Sequence, residues 1–242
     1  MRCSHFLRAV CSFFLTVVFL SACAAGESKN QFAYKDLPVS KANTTGNTVA
    51  FRGTPQKLEG NTVQVGESLR DAKLTASDMK PTNLAETHGK VRIVSIVPSV
   101  DTKVCEQQTH YLSEKIGPLD QSVQLISVSV DTPFALKRFS EEAKISNVTF
   151  LSDYRGGEFG RANGLLIPSM HVLARSVMVI DKNNVIRYLQ VVPELASLPD
   201  MEATFEAARL LSGSLHPARP SRAETRPFPG ATQATPSTGG RF

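Results

Sequence analysis

Short runs of apolar and β-branched residues recur through the middle of the chain, and each has the length of a buried β-strand. They occupy residues 91–97, 123–130, 148–151, 176–180 and 185–192. Stretches with helical patterning lie between and after them, at residues 102–116, 133–144 and 200–211. This order of strands and helices predicts one α/β domain, with a central β-sheet flanked by helices.

The connections between these runs predict a mixed sheet. The first two core strands are joined through a helix, so we expect them to be parallel. The last two are joined by a short turn at residues 180–184, which favours an antiparallel hairpin. A further hairpin is predicted ahead of the sheet, from residues 49–51 and 56–58, with Gly53 and Pro55 in the turn between them.

The N-terminus has the pattern of an export signal. Two arginines precede an apolar run at residues 9–20, which is too short to span a membrane. Residues 20–23, Leu-Ser-Ala-Cys, resemble the lipobox of bacterial lipoproteins, in which Cys23 becomes the lipid-bearing first residue of the mature chain. We therefore predict a lipoprotein signal peptide over residues 1–22.

The resemblance to lipoproteins implies a protein that is exported and held by lipid on the periplasmic face of a membrane. Ala24 after the cysteine favours the outer membrane, because Gram-negative lipoproteins at that location usually carry a residue other than Asp there. The polar, turn-rich residues 23–47 predict a flexible tether. The alternative is ordinary signal cleavage, which would give a soluble periplasmic or secreted protein.

The C-terminal residues 213–242 are rich in Pro, Gly, Ser and Thr and poor in apolar side chains, so we predict that this tail is disordered. The predicted folded domain is therefore residues 48–212. The chain has a formal net charge of +5, and the tail holds four arginines against one glutamate. The folded part is close to neutral, which argues against a nucleic-acid partner, because phosphate binding needs clustered basic side chains.

The positions of the cysteines leave one candidate residue for thiol chemistry in the mature chain. The four cysteines are Cys3, Cys11, Cys23 and Cys105. The first two leave with the signal peptide and the third would carry lipid, so the mature chain keeps Cys105 alone and has no intramolecular disulfide. An unpaired thiol in an exported protein needs a chemical explanation, because cysteines in oxidising compartments normally pair.

Cys105 is predicted to lie in the first turn of a helix. The strand at residues 91–97 ends at Pro98, which cannot continue the hydrogen-bond ladder, and a short loop leads from there into the helix. Unpaired backbone N–H groups and the helix dipole at that position favour a thiolate. The hydroxyl of Thr102, three residues earlier, is close enough to reach the sulfur. The alternative is a small buried cysteine that packs as an apolar side chain.

Residues 98–105, Pro-Ser-Val-Asp-Thr-Lys-Val-Cys, resemble the active-site motif of the peroxiredoxins, Pro-x-x-x-Thr/Ser-x-x-Cys, in the form found in the bacterial thiol peroxidase subfamily. Similar stretches occur at residues 131–139 and 174–181 and in the predicted hairpin. The resemblance covers about residues 48–211. It implies a thioredoxin-like fold with an added N-terminal hairpin, and a thiol-dependent peroxidase that needs no cofactor.

The resemblance also implies roles for four residues. Cys105 would be the nucleophile that attacks hydrogen peroxide or an organic hydroperoxide, and Thr102 would contact the peroxide. The ring of Pro98 would shield the thiolate, and Arg175 would favour the thiolate and stabilise the developing oxyanion. The alternatives are that Arg175 forms a structural ion pair, that Thr102 is only a helix cap, and that Pro98 only ends the strand.

One position departs from the subfamily pattern. The subfamily places its resolving cysteine after Arg-Phe in the following helix, and here that position is Ser140. The implied mechanism is that of a one-cysteine peroxiredoxin, in which an external thiol of unknown identity, or an intermolecular disulfide, recycles Cys105. A homodimer, as in the subfamily, is a further candidate partner.

Two other functions compete with the peroxidase. A non-catalytic binding or scaffold lipoprotein that retains the fold would explain Ser140 and the appended tail. A disulfide-exchange protein is less well supported, because Cys105 has no second cysteine in a Cys-x-x-Cys arrangement. A metal site is not expected, because the five histidines are scattered without ligand spacing, and we expect His110 to be solvated.

Overall fold

The computed structural model describes residues 32–213, except for the side chains of residues 118 and 120. In this part of the chain the strands are β1 (Thr48–Phe51), β2 (Thr54–Lys57), β3 (Lys73–Ala76), β4 (Pro81–Asn83), β5 (Val91–Ile96), β6 (Val123–Ser129), β7 (Val148–Ser152), β8 (Leu166–Ile167), β9 (Val172–Leu173), β10 (Ser176–Ile180) and β11 (Ile186–Val191). The α-helices are α1 (Lys103–Lys115), α2 (Pro133–Glu142), α3 (Glu158–Asn163) and α4 (Met201–Ser212).

A seven-stranded mixed sheet forms the centre of the fold, in the order β11-β10-β5-β6-β7-β3-β4. The three central strands β5, β6 and β7 run parallel to one another. The pairs on either side of them are antiparallel. The predicted α/β architecture is confirmed, including the parallel pairing of the first two core strands and the antiparallel hairpin of the last two.

Strand β5 is buried along its whole length, because the sheet is covered on both faces. Its side chains alternate between two hydrophobic cores. Val94 and Ile96 belong to the core that includes residues of the β1–β2 hairpin and α3. Val91 and Ile93 belong to the core beneath α1, α2 and α4, and Cys105 lies in this second core.

Polar side chains cap the three longer helices. Thr102, Thr132 and Asp200 each accept a hydrogen bond from the backbone N–H three residues further along. These N-caps satisfy N–H groups that would otherwise lack a partner in the first helical turn. The three predicted helices are confirmed, and their ends differ from the prediction by at most two residues.

The N-terminal hairpin is present, but its turn is tighter than predicted. Strands β1 and β2 are joined by the two residues Arg52 and Gly53, both with positive φ, of 51° and 78°. Such a two-residue turn matches the twist of the flanking strands. Pro55, expected in the turn, therefore lies within β2 and pairs with Ala50.

The strands at the far edge of the sheet were not predicted from sequence. β3 and β4 have four and three residues, and β3 pairs with β7 only through Thr75 and Ala76. Runs this short carry too little of the alternating pattern to be recognised. Their pairing partners in the tertiary structure determine that they are strands.

The predicted flexible tether over residues 23–47 is wrong for residues 32–47, which we call the N-terminal strap. Strap residues 39–44 lie along the edge strand β11. The side chain of Asn43 donates to the carbonyl of Leu189 and accepts from the N–H of Val191. An edge strand presents unpaired N–H and C=O groups, and these groups give the polar strap sequence the partners that order it.

The first residues of the strap pack against α1. Phe32 stacks on His110, with ring centroids 4.0 Å apart, and His110 is 6% exposed, so the prediction that it is solvated is wrong. The Tyr34 hydroxyl donates to Glu114 at 2.9 Å. Burial, together with this hydrogen bond, raises the pKa of Tyr34 above its ordinary value. The strap therefore joins the helix that carries Cys105 to the edge of the sheet.

The folded part of the chain thus begins earlier than residue 48. The predicted signal peptide at residues 1–22, the lipid-bearing Cys23, and the remainder of the tether lie outside the described residues, as does the predicted disordered tail beyond Gly213. Among residues 32–213, no helix is both long enough and apolar enough to cross a membrane.

Candidate active site

The loop between β5 and α1 is held in place by one carboxylate. Asp131, just after β6, accepts hydrogen bonds from the Ser99 hydroxyl and the Val100 N–H, both at 2.8 Å. A third bond at 2.7 Å comes from the Ser129 hydroxyl. Because β5 and β6 are parallel neighbours, their carboxyl ends meet at one edge of the sheet, and Asp131 there reaches the loop that precedes Cys105.

Thr102 performs both of the functions considered for it from the sequence. As the N-cap of α1, its hydroxyl oxygen accepts from the Cys105 N–H at 3.4 Å. The same hydroxyl donates to the Cys105 Sγ at 2.8 Å. The helix cap and the contact with sulfur are therefore compatible, and the donated hydrogen bond favours a negatively charged sulfur.

Arg175 reaches the same sulfur from a distant part of the chain. It lies just before β10, which pairs with β5 with Ser176 opposite Ile96, so it stands beside the end of β5. Its Nη2 donates to the Cys105 Sγ at 3.4 Å. The side chain of Arg175 is 2% exposed. The dipole of α1, the Thr102 hydroxyl and the Arg175 guanidinium therefore all act on one buried sulfur atom.

The other contacts of Arg175 are with neutral groups. Its Nε donates to the carbonyl of Leu195 at 2.8 Å, and its Nη1 donates to the Gln108 side-chain oxygen at 2.7 Å. In the described part of the chain, Arg175 forms no ion pair with a carboxylate within 4.0 Å. The structural ion-pair alternative is therefore wrong, and the sulfur is the group beside the guanidinium that can carry negative charge.

Gln108 is a site residue that the sequence analysis missed. It is fully buried, and its amide links the guanidinium of Arg175 to the Ser95 hydroxyl in β5, to which it donates at 2.8 Å. The available signal was its spacing, since residues three apart on a helix share a face and Gln108 stands three after Cys105. A polar amide on that apolar face indicates a buried partner.

Cys105 is completely buried, yet it is not an apolar packing residue alone. Its side chain lies in a hydrophobic core, with 0% exposure, while two polar donors point at its sulfur. Pro98 is half-buried at the end of β5, where it ends the strand. Its role as a shield for the thiolate stays a prediction.

Cys105 is a free cysteine, and the sequence has no other cysteine after Cys23. Ser140 is half-buried in α2, where its hydroxyl donates to the backbone oxygen of Lys137. A disulfide within residues 32–213 is therefore excluded by composition. Within the same residues, no group of three or more His, Cys, Asp or Glu side chains is arranged to hold a metal ion.

The model of the Redoxin family matches residues 64–206. A thiol peroxidase of Halalkalibacterium halodurans is 41% identical over 162 residues, which is 67% of this chain and 97% of that protein. A thiol peroxidase of Streptococcus pneumoniae is 41% identical over 163 residues, which is 67% of this chain and 99% of that protein.

Solved structures agree with these matches in fold. A peroxiredoxin-like protein from Aquifex aeolicus superposes with a TM-score of 0.65 at 33% identity, covering 69% of this chain and 98% of that one. A thiol peroxidase from Chromobacterium violaceum superposes with a TM-score of 0.61 at 21% identity, covering 70% and 98%. The predicted thioredoxin-like fold with an N-terminal hairpin is confirmed.

The substitution Arg175→Met tests the contact between guanidinium and sulfur. Methionine replaces the aliphatic part of the arginine side chain but carries no cation. We expect iodoacetamide to alkylate Cys105 about tenfold more slowly at neutral pH, since the guanidinium no longer contacts the sulfur that attacks the reagent. Loss of free thiol over a series of pH values measures the effect. Arg187→Met, which removes a guanidinium paired with Asp181, is the matched control and should leave the rate unchanged. Equal rates in wild type and Arg175→Met would contradict the assignment.

Proposed function

The chain belongs to the Redoxin family, as one of its thiol peroxidases, and we propose that Cys105 is the nucleophile with which it reduces peroxides. The observation that carries the proposal is the convergence of the Thr102 hydroxyl and the Arg175 guanidinium on the sulfur of Cys105. Thr102 also caps α1, but neither that cap nor the packing of an apolar core requires a hydroxyl donor and a guanidinium at the same sulfur.

The geometry supports the following first step. The Cys105 thiolate attacks one peroxide oxygen, the O–O bond breaks, and the leaving oxygen departs as hydroxide or alkoxide and takes up a proton. Cys105 is oxidised to a sulfenic acid and the peroxide is reduced to water or an alcohol. Negative charge moves from sulfur to oxygen in this step, so donors that are already fixed around the sulfur lower the barrier.

The second half of the cycle needs a thiol from outside the domain. An external thiol attacks the sulfenic sulfur, water leaves, and a mixed disulfide forms. A second thiol then displaces Cys105 and the external thiols leave as a disulfide. An external thiol is needed because residues 24–242 contain no cysteine other than Cys105.

The non-catalytic scaffold alternative gains nothing from these observations. The nucleophile, its hydroxyl and its arginine are all present and in contact. The curated relatives that match nearly over their full length carry the name thiol peroxidase.

Mixing the purified protein with an equimolar amount of hydrogen peroxide tests the function directly. We expect the free thiol to disappear at least about a hundredfold faster than that of free cysteine, because the Thr102 and Arg175 donors are already in place at the sulfur. Added small thiol should then give continuous turnover. Cys105→Ser is the control and should be inactive. A thiol that reacts no faster than free cysteine would refute the peroxidase.

We also propose that Ser140 occupies the position of the resolving cysteine of the subfamily. The variant Ser140→Cys should then form an intramolecular disulfide with Cys105 after one equivalent of peroxide, seen by mass spectrometry as loss of both free thiols. Ser113→Cys is the matched control, because it lies eight residues beyond Cys105 in α1, about 12 Å along the helix axis. If neither variant forms the disulfide, position 140 is not the resolving position.

The proposed location is the periplasmic face of a membrane, through lipid on Cys23, with the outer membrane favoured by Ala24. Phe32, the first described residue, already packs on α1, and the nine residues after Cys23 span at most about 30 Å. A lipid on Cys23 would therefore hold the domain close to the membrane surface. The alternative is a soluble periplasmic or secreted protein.

Cell fractionation after expression with the native N-terminus in a Gram-negative host tests the anchor. We expect the wild-type protein in the membrane fraction and Cys23→Ser in the soluble fraction, since the variant cannot be lipidated. Cys11→Ser, which removes a cysteine within the apolar run, is the control and should stay with the membrane. Mass spectrometry of the mature N-terminus would show the acyl groups. A soluble wild-type protein without lipid would contradict the proposal.

We also propose that two copies of this chain form a homodimer, as in the subfamily. Sedimentation of the purified protein before and after peroxide would show whether two copies associate. Non-reducing electrophoresis of the same samples would show whether a disulfide between two Cys105 residues forms.

A further inference from the structure

The orientation of the Arg175 guanidinium depends on a carbonyl in the loop after β11. Apart from sulfur, its hydrogen-bond acceptors are the Gln108 side chain and the backbone oxygen of Leu195, which accepts from Nε at 2.8 Å. Because no carboxylate fixes the guanidinium, these two neutral acceptors set its direction toward Cys105. A displacement of either acceptor would move the cation relative to the reacting sulfur.

The loop that carries Leu195 is paired with the N-terminal hairpin. The Ala50 N–H donates to the carbonyl of Pro193 at 2.6 Å, and the Leu195 N–H donates to the carbonyl of Ala50 at 2.8 Å. One residue of β1 therefore brackets Glu194 from both sides. This pairing therefore holds in place Leu195, the residue whose carbonyl accepts from Arg175.

The carboxylate of Glu194 ties the same loop to the hairpin turn. Its Oε1 accepts from the N–H of Arg52 at 3.0 Å, and its Oε2 accepts from the N–H of Gly53 at 2.9 Å. Oε1 also accepts from the N–H of Ala196 at 3.0 Å, within the loop itself. The carboxylate of Glu194 thus accepts from three backbone N–H groups, two in the hairpin turn and one in the loop that carries Leu195.

The turn needs this carboxylate for a local reason as well. Arg52 has a φ of 51°, in the left-handed region that disfavours residues other than glycine, asparagine and aspartate. The charge-assisted bonds from Arg52 and Gly53 compensate for that cost. Although burial opposes ionisation, the three N–H donors hold the pKa of Glu194 below its ordinary value, so the group is charged at neutral pH.

We propose that Glu194 is a positioning residue for the peroxidase reaction: by clamping the hairpin turn to the loop after β11, it holds the Leu195 carbonyl that aims Arg175 at Cys105. Glu194 contacts neither the sulfur nor the guanidinium in the described hydrogen bonds. The hairpin in front of the sheet is then part of the catalytic apparatus through this clamp. The inference rests on the proposed function of Cys105 and Arg175.

The test is Glu194→Gln in the full mature chain. Glutamine keeps one oxygen acceptor but turns an NH2 donor toward a backbone N–H, so the clamp is weakened without loss of side-chain volume. We expect the single-turnover rate of thiol loss with hydrogen peroxide to fall about tenfold, as for a small misplacement of a catalytic group. The pH midpoint of Cys105 alkylation should move upward in the same variant.

A double-mutant cycle separates positioning from general damage. If Glu194 acts through Arg175, then Glu194→Gln should cause no further loss of rate in a protein that already carries Arg175→Met. Multiplicative losses in the double variant would show that Glu194 acts by another route, and would overturn the proposal.

Ile186→Val is the matched control for stability. It removes one buried methyl group at the first residue of β11, in the hydrophobic core that does not contain Cys105, so the thermal midpoint should fall while the peroxide rate and the alkylation profile stay at wild-type values. If Glu194→Gln behaves in the same way, the clamp is only structural and the proposal is wrong. A slow wild-type protein would instead refute the peroxidase itself, so the two failures are distinguishable.

Discussion

The site depends on the contact between a buried guanidinium and a buried sulfur. Arg175 lies almost entirely out of solvent with only neutral oxygen acceptors and the sulfur of Cys105 around it. An unpaired cation in such surroundings is costly, and among the groups that Arg175 contacts only the sulfur of Cys105 can carry negative charge. The interaction that makes burial of Arg175 tolerable is therefore the same one that keeps Cys105 ready to attack, and it persists as charge moves onto the peroxide oxygen.

The parts of the chain that precede the family match are connected to this contact through α1 and the loop after β11. The Redoxin model begins at residue 64, whereas the described structure begins at residue 32. The hairpin reaches the arginine through the loop after β11, and the strap reaches the cysteine through α1 and covers the sheet edge. The family core carries the reacting groups, and these earlier segments restrain the elements on which those groups stand.

In the proposed mechanism, the one thiol of residues 32–213, Cys105, gives an open catalytic cycle. A sulfenic acid on Cys105 has no cysteine partner among the described residues, so the proposed cycle stays at that state until an outside thiol reacts with it. The complete burial of Cys105 limits which thiols can reach the sulfur. Efficiency therefore depends on the supply of an outside reductant as much as on the geometry around Arg175.

The sequence by itself determined the features that are written in local patterns. Five apolar runs specified the core strands, helical patterning specified the three longer helices, and a proline-bounded loop placed Cys105 in a first helical turn with Thr102 three residues before it. The tertiary structure alone decided which distant groups meet. Arg175 stands 70 residues from Cys105, Gln108 looked like any polar helix residue, and the strap looked flexible until β11 supplied partners for its backbone. The physical reason is that hydrogen-bond partners far apart in sequence leave no periodic trace. The residues alone therefore indicated the chemistry of each group but not its partner, and only the family resemblance led us to expect Arg175 beside Cys105.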